Sequence, residues 1–243
     1  KDFHVNRVFV EGALVAEEGK YLPEIKKCDI SSVKGSVIVK DFSKEKFKMN
    51  LKSNKVNVIK ILPGGVVTAK DTAEIELDAN GEFVRNPEVD LVKVAVVERH
   101  QGTGNVACGF LKGYGIKEGA VALSIAHDSH NIIVVGVSDE EMEFAVNSLI
   151  EQEGGMVLVK EGKVIESMPM PIAGLMSDQS GEWVDQKLTD IHEKAYEELG
   201  ICGDVEPVMT LCFMSLAVIP EIKLTDMGLF DVTTFSFIPV EAE

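Results

Sequence analysis

Residues 121–136 have the sequence VALSIAHDSHNIIVVG, in which two apolar runs enclose a short polar link. Continuous apolar runs of this length are typical of strands buried on both faces, so residues 121–125 and 132–136 predict two strands. The link between them, residues 126–131, contains two of the five histidines of the chain, with a carboxylate, a hydroxyl and an amide. Because chemistry is often located on loops between buried strands, this link is the first candidate site.

Hydrophobic periodicity elsewhere predicts further strands and three helices. Ser138 and Glu141 form a capping box, and the apolar face that follows predicts a helix ending at the Gly154-Gly155 pair. A second helix is predicted over residues 181–199, and a third, short one over residues 207–216. The further strands are predicted at residues 56–61, 72–77, 91–97, 156–159, 164–168 and 235–238. Strand hairpins that alternate with helices predict an α+β or mixed α/β domain, and we favour α+β, with a mixed β-sheet flanked by helices.

The N-terminal part of the chain has a weaker pattern. Residues 5–16 predict a β-hairpin with Glu11-Gly12 at its turn. Residues 23–53 are mixed and rich in lysine, which predicts a linker with weak strand content. We therefore expect a β-rich segment with its linker over residues 1–55 and a larger domain over residues 56–243.

Charge and composition limit the possible partners. The formal net charge is −16 and the pI is about 4.8, which argues against nucleic acid and anionic membrane surfaces because both would repel the chain. The sequence has no stretch of ~18 apolar residues, so no membrane span is predicted. It also has no apolar run near the first residue, so no signal peptide is predicted. The four cysteines form no CxxC pair, which predicts reduced thiols in a cytoplasmic protein.

The histidines of the link are candidates for metal binding. His127 and His130 lie three residues apart with Asp128 between them, and imidazole with carboxylate suits zinc, manganese or iron. His100 follows Glu98 by two residues at the end of another predicted strand, so both could join the cluster if the strand ends are neighbours. Alternatively, each histidine fixes a turn through hydrogen bonds to the backbone. Spacing alone leaves both interpretations open, since the chain has no HExxH or HxH motif.

Two other segments have unusual composition. Residues 102–105, GTGN, could cradle a phosphate, but Ala107 replaces the third glycine of GxGxxG, so tight turns with close backbone packing are the alternative. Residues 168–178, MPMPIAGLMSD, are apolar and interrupted by two prolines, which predicts either a buried connection or the wall of an apolar pocket. Nucleophilic catalysis by Ser129 has little support, because no GxSxG elbow surrounds it.

Four segments in order resemble a known family. They are residues 98–105, 126–131, 169–178 and 223–229. Together they are similar to the C-terminal region of bacterial and archaeal adenine deaminases of the amidohydrolase superfamily, and the resemblance extends over residues 56–238. The N-terminal hairpin also resembles the segment that returns from the family's barrel into its small β-sandwich.

The resemblance implies that the whole enzyme hydrolyses adenine to hypoxanthine and ammonia, a reaction of purine salvage, in a (β/α)8 barrel that holds manganese or iron. The metal lowers the pKa of bound water, the hydroxide attacks the ring carbon bearing the amine, and an acidic side chain protonates the leaving ammonia. This chain departs from the family pattern, because the barrel and its HxH motif would lie upstream of Lys1. Gln101 also stands where a second histidine often follows His100. No catalytic metal ligand is therefore carried over, and we expect this chain to be inactive by itself.

The resemblance further implies that one edge of the domain faces the mouth of the absent barrel, where it helps to close the active site or holds an accessory ion. The residues expected there are Glu98, His100, Gly102, Thr103, Asn105, His127, Asp128, His130 and Asn131, of which His127 and His130 are the candidate accessory metal ligands. The expected partners are adenine, the barrel and further copies of the chain in a homo-oligomer. Two alternatives stay open, namely a non-catalytic module for assembly or ligand binding and an autonomous metallohydrolase built on His100, His127 and His130.

Overall fold

The structure, a computed structural model, describes residues 3–64 and 66–242 of the chain. The chain divides into two compact units, residues 1–32 and 33–243. Residues 33–55 therefore belong to the larger unit, and the linker predicted over residues 23–53 is wrong for its second half. The physical reason is Phe47, which ends a short 3-10 helix and is fully buried in the core of the larger unit.

The smaller unit contains a three-stranded antiparallel sheet. Its strands are β1 (Arg7–Val10), β2 (Ala13–Glu17) and β3 (Lys20–Tyr21). The turn between β1 and β2 has Glu11 at φ +49° and Gly12 at φ +82°, as a two-residue hairpin turn with left-handed backbone requires. The predicted hairpin is thus confirmed. None of the described residues up to Ser32 is buried, so this sheet has no core of its own. Its origin in a small β-sandwich stays a prediction.

The larger unit is built on an eight-stranded sheet with the order β13-β12-β10-β11-β8-β9-β4-β5. Its strands are β4 (Lys55–Ile61), β5 (Thr68–Glu74), β8 (Leu91–Val97), β9 (Val106–Lys112), β10 (Ala120–Leu123), β11 (Ile132–Gly136), β12 (Gly155–Lys160) and β13 (Lys163–Pro169). All neighbouring strands are antiparallel except β4 and β9, which are parallel. The mixed sheet predicted from the sequence is confirmed.

Helices and small sheets cover the two faces of this sheet. The helices are α1 (Asp139–Glu151), α2 (Gly181–Glu197) and α3 (Pro207–Cys212). One small sheet consists of β6 (Glu76–Leu77) and β7 (Phe83–Val84). The other consists of β14 (Ile222–Thr225), β15 (Gly228–Asp231) and β16 (Ser236–Phe237). One face packs against α1, and the other packs against α2, α3 and β14–β15. The α+β class is therefore confirmed.

The N-cap predicted for α1 is present, but the reciprocal half of the capping box is not, because Oε1 of Glu141 accepts from the N–H of Gly162 and its Oε2 has no partner among the described residues. The Ser138 hydroxyl accepts a hydrogen bond from the backbone N–H of Glu141 at 3.2 Å, which satisfies one free donor of the first turn. The predicted apolar stripe, which includes Met142 and Leu149, is buried on the sheet. An ion pair between Lys93 of β8 and Asp139, 2.7 Å long, ties the start of α1 to the sheet.

Several elements differ from the sequence predictions. The strand β9 was not predicted, because Gly109 interrupts its apolar pattern; a side chain there would meet Leu224, which packs on this strand. The strand predicted over residues 72–77 is divided, since β5 ends at Glu74. The third helix ends at Cys212 instead of residue 216. Within residues 3–64 and 66–242, no helix has both the length and the apolar character needed to cross a membrane.

Candidate functional site

The ends of two central strands bring the two candidate loops together. β8 and β11 are antiparallel neighbours, and Val97 pairs with Ile132 at the last rung. Loop 98–105 follows β8 and link 126–131 precedes β11, so both leave the sheet at the same end. The Nε2 atom of His100 lies 2.8 Å from the carbonyl oxygen of Ser129, which joins the two loops directly.

Glu98 is the acceptor around which loop 98–105 folds. The side chain is 6% exposed, and its carboxylate accepts hydrogen bonds from the backbone N–H groups of His100, Gln101 and Thr103 and from the Thr103 hydroxyl. Burial by itself would raise the pKa of Glu98, but these hydrogen bonds outweigh burial and lower it to about 2. The two oxygens are thus occupied, and Glu98 shares no metal-binding face with the exposed His100.

The glycine-rich part of the same loop consists of tight turns. Gly102 and Gly104 have φ values of +61° and +76°, and the Lys46 ammonium donates to the Gly104 carbonyl at 2.7 Å. A Cβ atom on Gly104 would lie 2.9 Å from that ammonium nitrogen. Because β9 begins at Val106, no helix follows to bind a phosphate, and the structure favours tight turns with close packing.

His127 is exposed but held at both its backbone and its ring. Its N–H donates to the carbonyl of Cys212 at 2.7 Å, and its ring stacks on Phe213 with 5.3 Å between centroids. The Nδ1 atom lies 2.6 Å from Oδ1 of Asp128, which is itself 73% exposed. The His127 ring, held by Phe213 and Asp128, and the Asp128 carboxylate are therefore both exposed at the surface.

His130 adopts a conformation that is uncommon for a residue other than glycine, with φ +52°. Its carbonyl accepts a hydrogen bond from Arg99. Its Nδ1 atom is buried, yet none of the described residues forms a hydrogen bond with that atom. Burial lowers the pKa of His130, and the nearby charges of Arg99 and His127 lower it further, so the neutral imidazole is favoured.

Asp226, in the turn between β14 and β15, connects the two loops through their asparagines. Its Oδ1 accepts from Nδ2 of Asn131 and its Oδ2 accepts from Nδ2 of Asn105, each at 3.3 Å. Segment 223–229 therefore meets both candidate loops at this end of the sheet.

The proline-containing segment 168–178 reaches the same place as a connection that is buried at Met168, Met170 and Gly174 and mostly half-buried elsewhere. The Ser124 hydroxyl, at the end of β10, donates to the carbonyl of Gly174 at 2.6 Å and accepts from the N–H of Gly155 at 2.7 Å. Met170 is 7% exposed and packs in the core. Of the two interpretations from the sequence, the structure favours the buried connection.

These residues do not form a metal site. Among residues 3–64 and 66–242, no group of three histidine, cysteine, aspartate or glutamate side chains is arranged to hold an ion. His127 and His130, whose ring centroids are 6.2 Å apart, are a pair without a third ligand, since Nε2 of His100 lies 2.8 Å from the carbonyl oxygen of Ser129. The donors present therefore do not fit the manganese or iron that the family resemblance implies, and no chemical step through a metal is assigned to them.

Two residues of the cluster were not singled out from the sequence. Arg99 is 1% exposed and Asp226 is half-buried, and both make contacts that join separate segments. The burial of Arg99 could have been suspected from the sequence, since it lies two residues after the end of the seven-residue buried strand β8. Asp226 lies in segment 223–229, which the family resemblance includes, but nothing local indicated its role, because its asparagine partners lie far away in the sequence. Outside the cluster, His192 is partly buried and pairs with Glu206.

Comparison with known proteins agrees with the resemblance. The family model described as the adenine deaminase C-terminal domain matches residues 65–236. "Adenine deaminase 2" of Desulfotalea psychrophila is 66% identical over 98% of this chain and 41% of that protein. "Adenine deaminase" of Ligilactobacillus salivarius is 46% identical over 100% of this chain and 42% of that protein. "Adenine deaminase 2" of Carboxydothermus hydrogenoformans is 44% identical over 99% of this chain and 42% of that protein. The chain thus spans about two fifths of the length of these relatives.

Proposed function

Because this chain belongs to the adenine deaminase C-terminal domain family, we propose that it is the C-terminal part of an enzyme that hydrolyses adenine to hypoxanthine and ammonia. We propose further that loop 98–105 and link 126–131 face the mouth of the catalytic barrel and help to close its active site. The divalent metal and its ligands then belong to the barrel, since the part of this chain that the structure describes has no group of three side chains arranged to hold an ion.

One observation carries this proposal. The four segments on which the family resemblance rests are widely separated in sequence, yet all four meet at one end of the sheet through Arg99, Ser124 and Asp226. Several polar side chains of this cluster stay exposed, although their backbones are fixed by buried contacts. Rigidly held polar groups at a surface support a role in contacting a neighbouring site more than a role in stabilising the fold.

In this role the chain contributes position and shielding. His127 and Asp128 would offer fixed hydrogen-bonding groups beside the barrel mouth, and the link would exclude water once substrate is bound. Bond cleavage itself needs an activated water and a proton shuttle, which we assign to the barrel. We therefore propose that the isolated 243-residue chain does not deaminate adenine with added manganese, and turnover by the isolated chain would contradict this.

The closing role is tested in the full-length enzyme with His127→Ala and His130→Ala combined. We expect kcat/KM for adenine to fall by about tenfold or more, as for the loss of one well-formed hydrogen bond at the site. Metal content should stay unchanged, whereas a lower manganese or iron content would indicate that the two histidines hold an accessory ion. His4→Ala is the matched control, because His4 is an exposed histidine of the small unit.

Unchanged kinetics in the double variant, with lower thermal stability alone, would refute the closing role. That result would favour the alternative of a non-catalytic module for assembly or ligand binding. We also propose that the whole protein is a cytoplasmic homo-oligomer. Light scattering of the full-length enzyme checks the oligomeric part, and a monomer would contradict it.

A further inference from the structure

Arg99 is the buried centre of the polar cluster. Its guanidinium donates to the backbone carbonyls of Ser36, Ser124, His130 and Ala173, with distances of 3.5 Å to Ser36, 3.4 Å to Ser124 and 3.2 Å to Ala173. These four carbonyls come from four separate parts of the larger unit. A single planar side chain with five donors can satisfy such a set, whereas an ammonium cannot reach all four.

The backbone of Arg99 adds two further connections. Its N–H lies 3.3 Å from Oδ1 of Asn131, and its carbonyl accepts from the N–H of Ile38 at 2.8 Å. Link 126–131 is therefore held by this residue at two adjacent positions, the carbonyl of His130 and the side chain of Asn131. A buried guanidinium without acceptors is costly. Moving any of the four carbonyls away from Arg99 therefore costs free energy, so the arginine restrains the segments that carry them.

Gly174 packs directly against the Arg99 guanidinium. Its φ is +70°, and a Cβ atom there would lie 2.8 Å from Nη1 of Arg99. The close approach leaves room only for glycine, so a change at Gly174 would displace the guanidinium while leaving Arg99 itself intact.

We propose that Arg99 is a positioning residue for adenine binding, which holds the His127–His130 link in its competent arrangement from behind without touching the substrate. This proposal rests on the proposed closing role of the link. If Arg99 is lost, the link occupies its competent arrangement for only part of the time. Apparent substrate affinity then falls in proportion to that fraction, whereas the reaction of the bound substrate is unchanged.

The test uses the full-length enzyme with Arg99→Lys and Arg99→Met, and with Gly174→Ala as a second approach to the same cluster. We expect KM for adenine to rise about tenfold in Arg99→Lys, more in Arg99→Met, and also in Gly174→Ala, with kcat per folded enzyme within about twofold of the parent. Arg85→Lys is the matched control, since Arg85 is a partly buried arginine that donates to the carbonyl of Ile116 outside the cluster.

A purely structural role gives a different result. Loss of folded enzyme lowers the apparent kcat in proportion to the folded fraction, and KM stays constant. An unchanged KM in folded Arg99→Lys and Gly174→Ala would therefore overturn the proposal. If the double histidine variant lowers kcat/KM while Arg99→Lys leaves KM unchanged, the positioning role alone fails; if neither variant changes the kinetics, the closing role fails as well.

Discussion

The substitution Glu98→Gln tests how loop 98–105 is held. In the parent chain Oε1 accepts from the N–H groups of His100 and Gln101, and Oε2 accepts from the N–H and hydroxyl of Thr103. Glutamine has nearly the same shape but carries no charge, and only one of its terminal atoms accepts. At least one backbone N–H of the loop therefore loses its acceptor and faces an NH₂ group.

The size of the effect follows from the pKa of Glu98. The folded-state pKa is about 2 against an ordinary value of 4.5. Since one pKa unit corresponds to about 1.4 kcal/mol, the ionised carboxylate contributes about 3 kcal/mol to the free energy of unfolding at pH 7. Because the folded-state pKa is the lower one, this contribution is present above pH 4.5 and is lost as the pH falls towards 2. At pH 3 about 1 kcal/mol remains.

Urea unfolding of the chain, followed by circular dichroism at pH 7, 5 and 3, measures this difference. We expect Glu98→Gln to lower the free energy of unfolding by about 3 kcal/mol at pH 7 and by about 1 kcal/mol at pH 3. Glu88→Gln, at an exposed glutamate, should change it by less than about 0.5 kcal/mol at each pH. A loss in Glu98→Gln that is the same at pH 7 and pH 3 would refute the reasoning.

Two further predictions concern buried groups outside the two candidate loops. Burial lowers the pKa of Lys223 to about 8, and its ammonium donates to the carbonyl of Val66 at 2.9 Å. Because the folded-state pKa is below the ordinary 10.5, the buried charge costs stability below about pH 8, and this cost disappears as the pH rises to 10.5. Lys223→Met should therefore raise the free energy of unfolding by about 1–2 kcal/mol at pH 7 and leave it unchanged near pH 10.5. A variant that is less stable than the parent at pH 7 would contradict this. Phe47→Ala should lower the free energy of unfolding by about 3–4 kcal/mol in urea titrations, against less than about 0.5 kcal/mol for Ile38→Ala, which is 52% exposed. Equal effects of the two would show that residues 33–55 do not share the core.

Local patterns predicted the elements that carry strong periodicity. The apolar runs on either side of link 126–131 are strands β10 and β11, and every residue of both is buried. The helix after Ser138 begins with its predicted N-cap because the cap is a contact between residues three apart. By contrast, β9 was missed, since its glycine is explained only by the strands packed on it.

The candidate site was predictable in part. The link and loop 98–105 were both expected from their sequences, and the structure brings them into contact through His100 and Ser129. Their detailed roles were not predictable. Glu98 was considered as a metal ligand from its spacing, but it instead accepts four hydrogen bonds within its own loop. Spacing indicates which side chains can meet, and it does not indicate which backbone donors compete for them.

The sequence by itself determined the α+β class, the two buried strands around residues 126–131 and the family to which the chain belongs, because periodicity, caps and motifs are local properties. Only the tertiary structure decided that Arg99 and Asp226 join the segments of that family at one end of the sheet. Within residues 3–64 and 66–242 it also places no third histidine, cysteine or carboxylate with these histidines to hold an ion. The reason is physical, since a buried guanidinium takes whichever carbonyls the strand order brings near it, and strand order is set by the packing of the whole sheet.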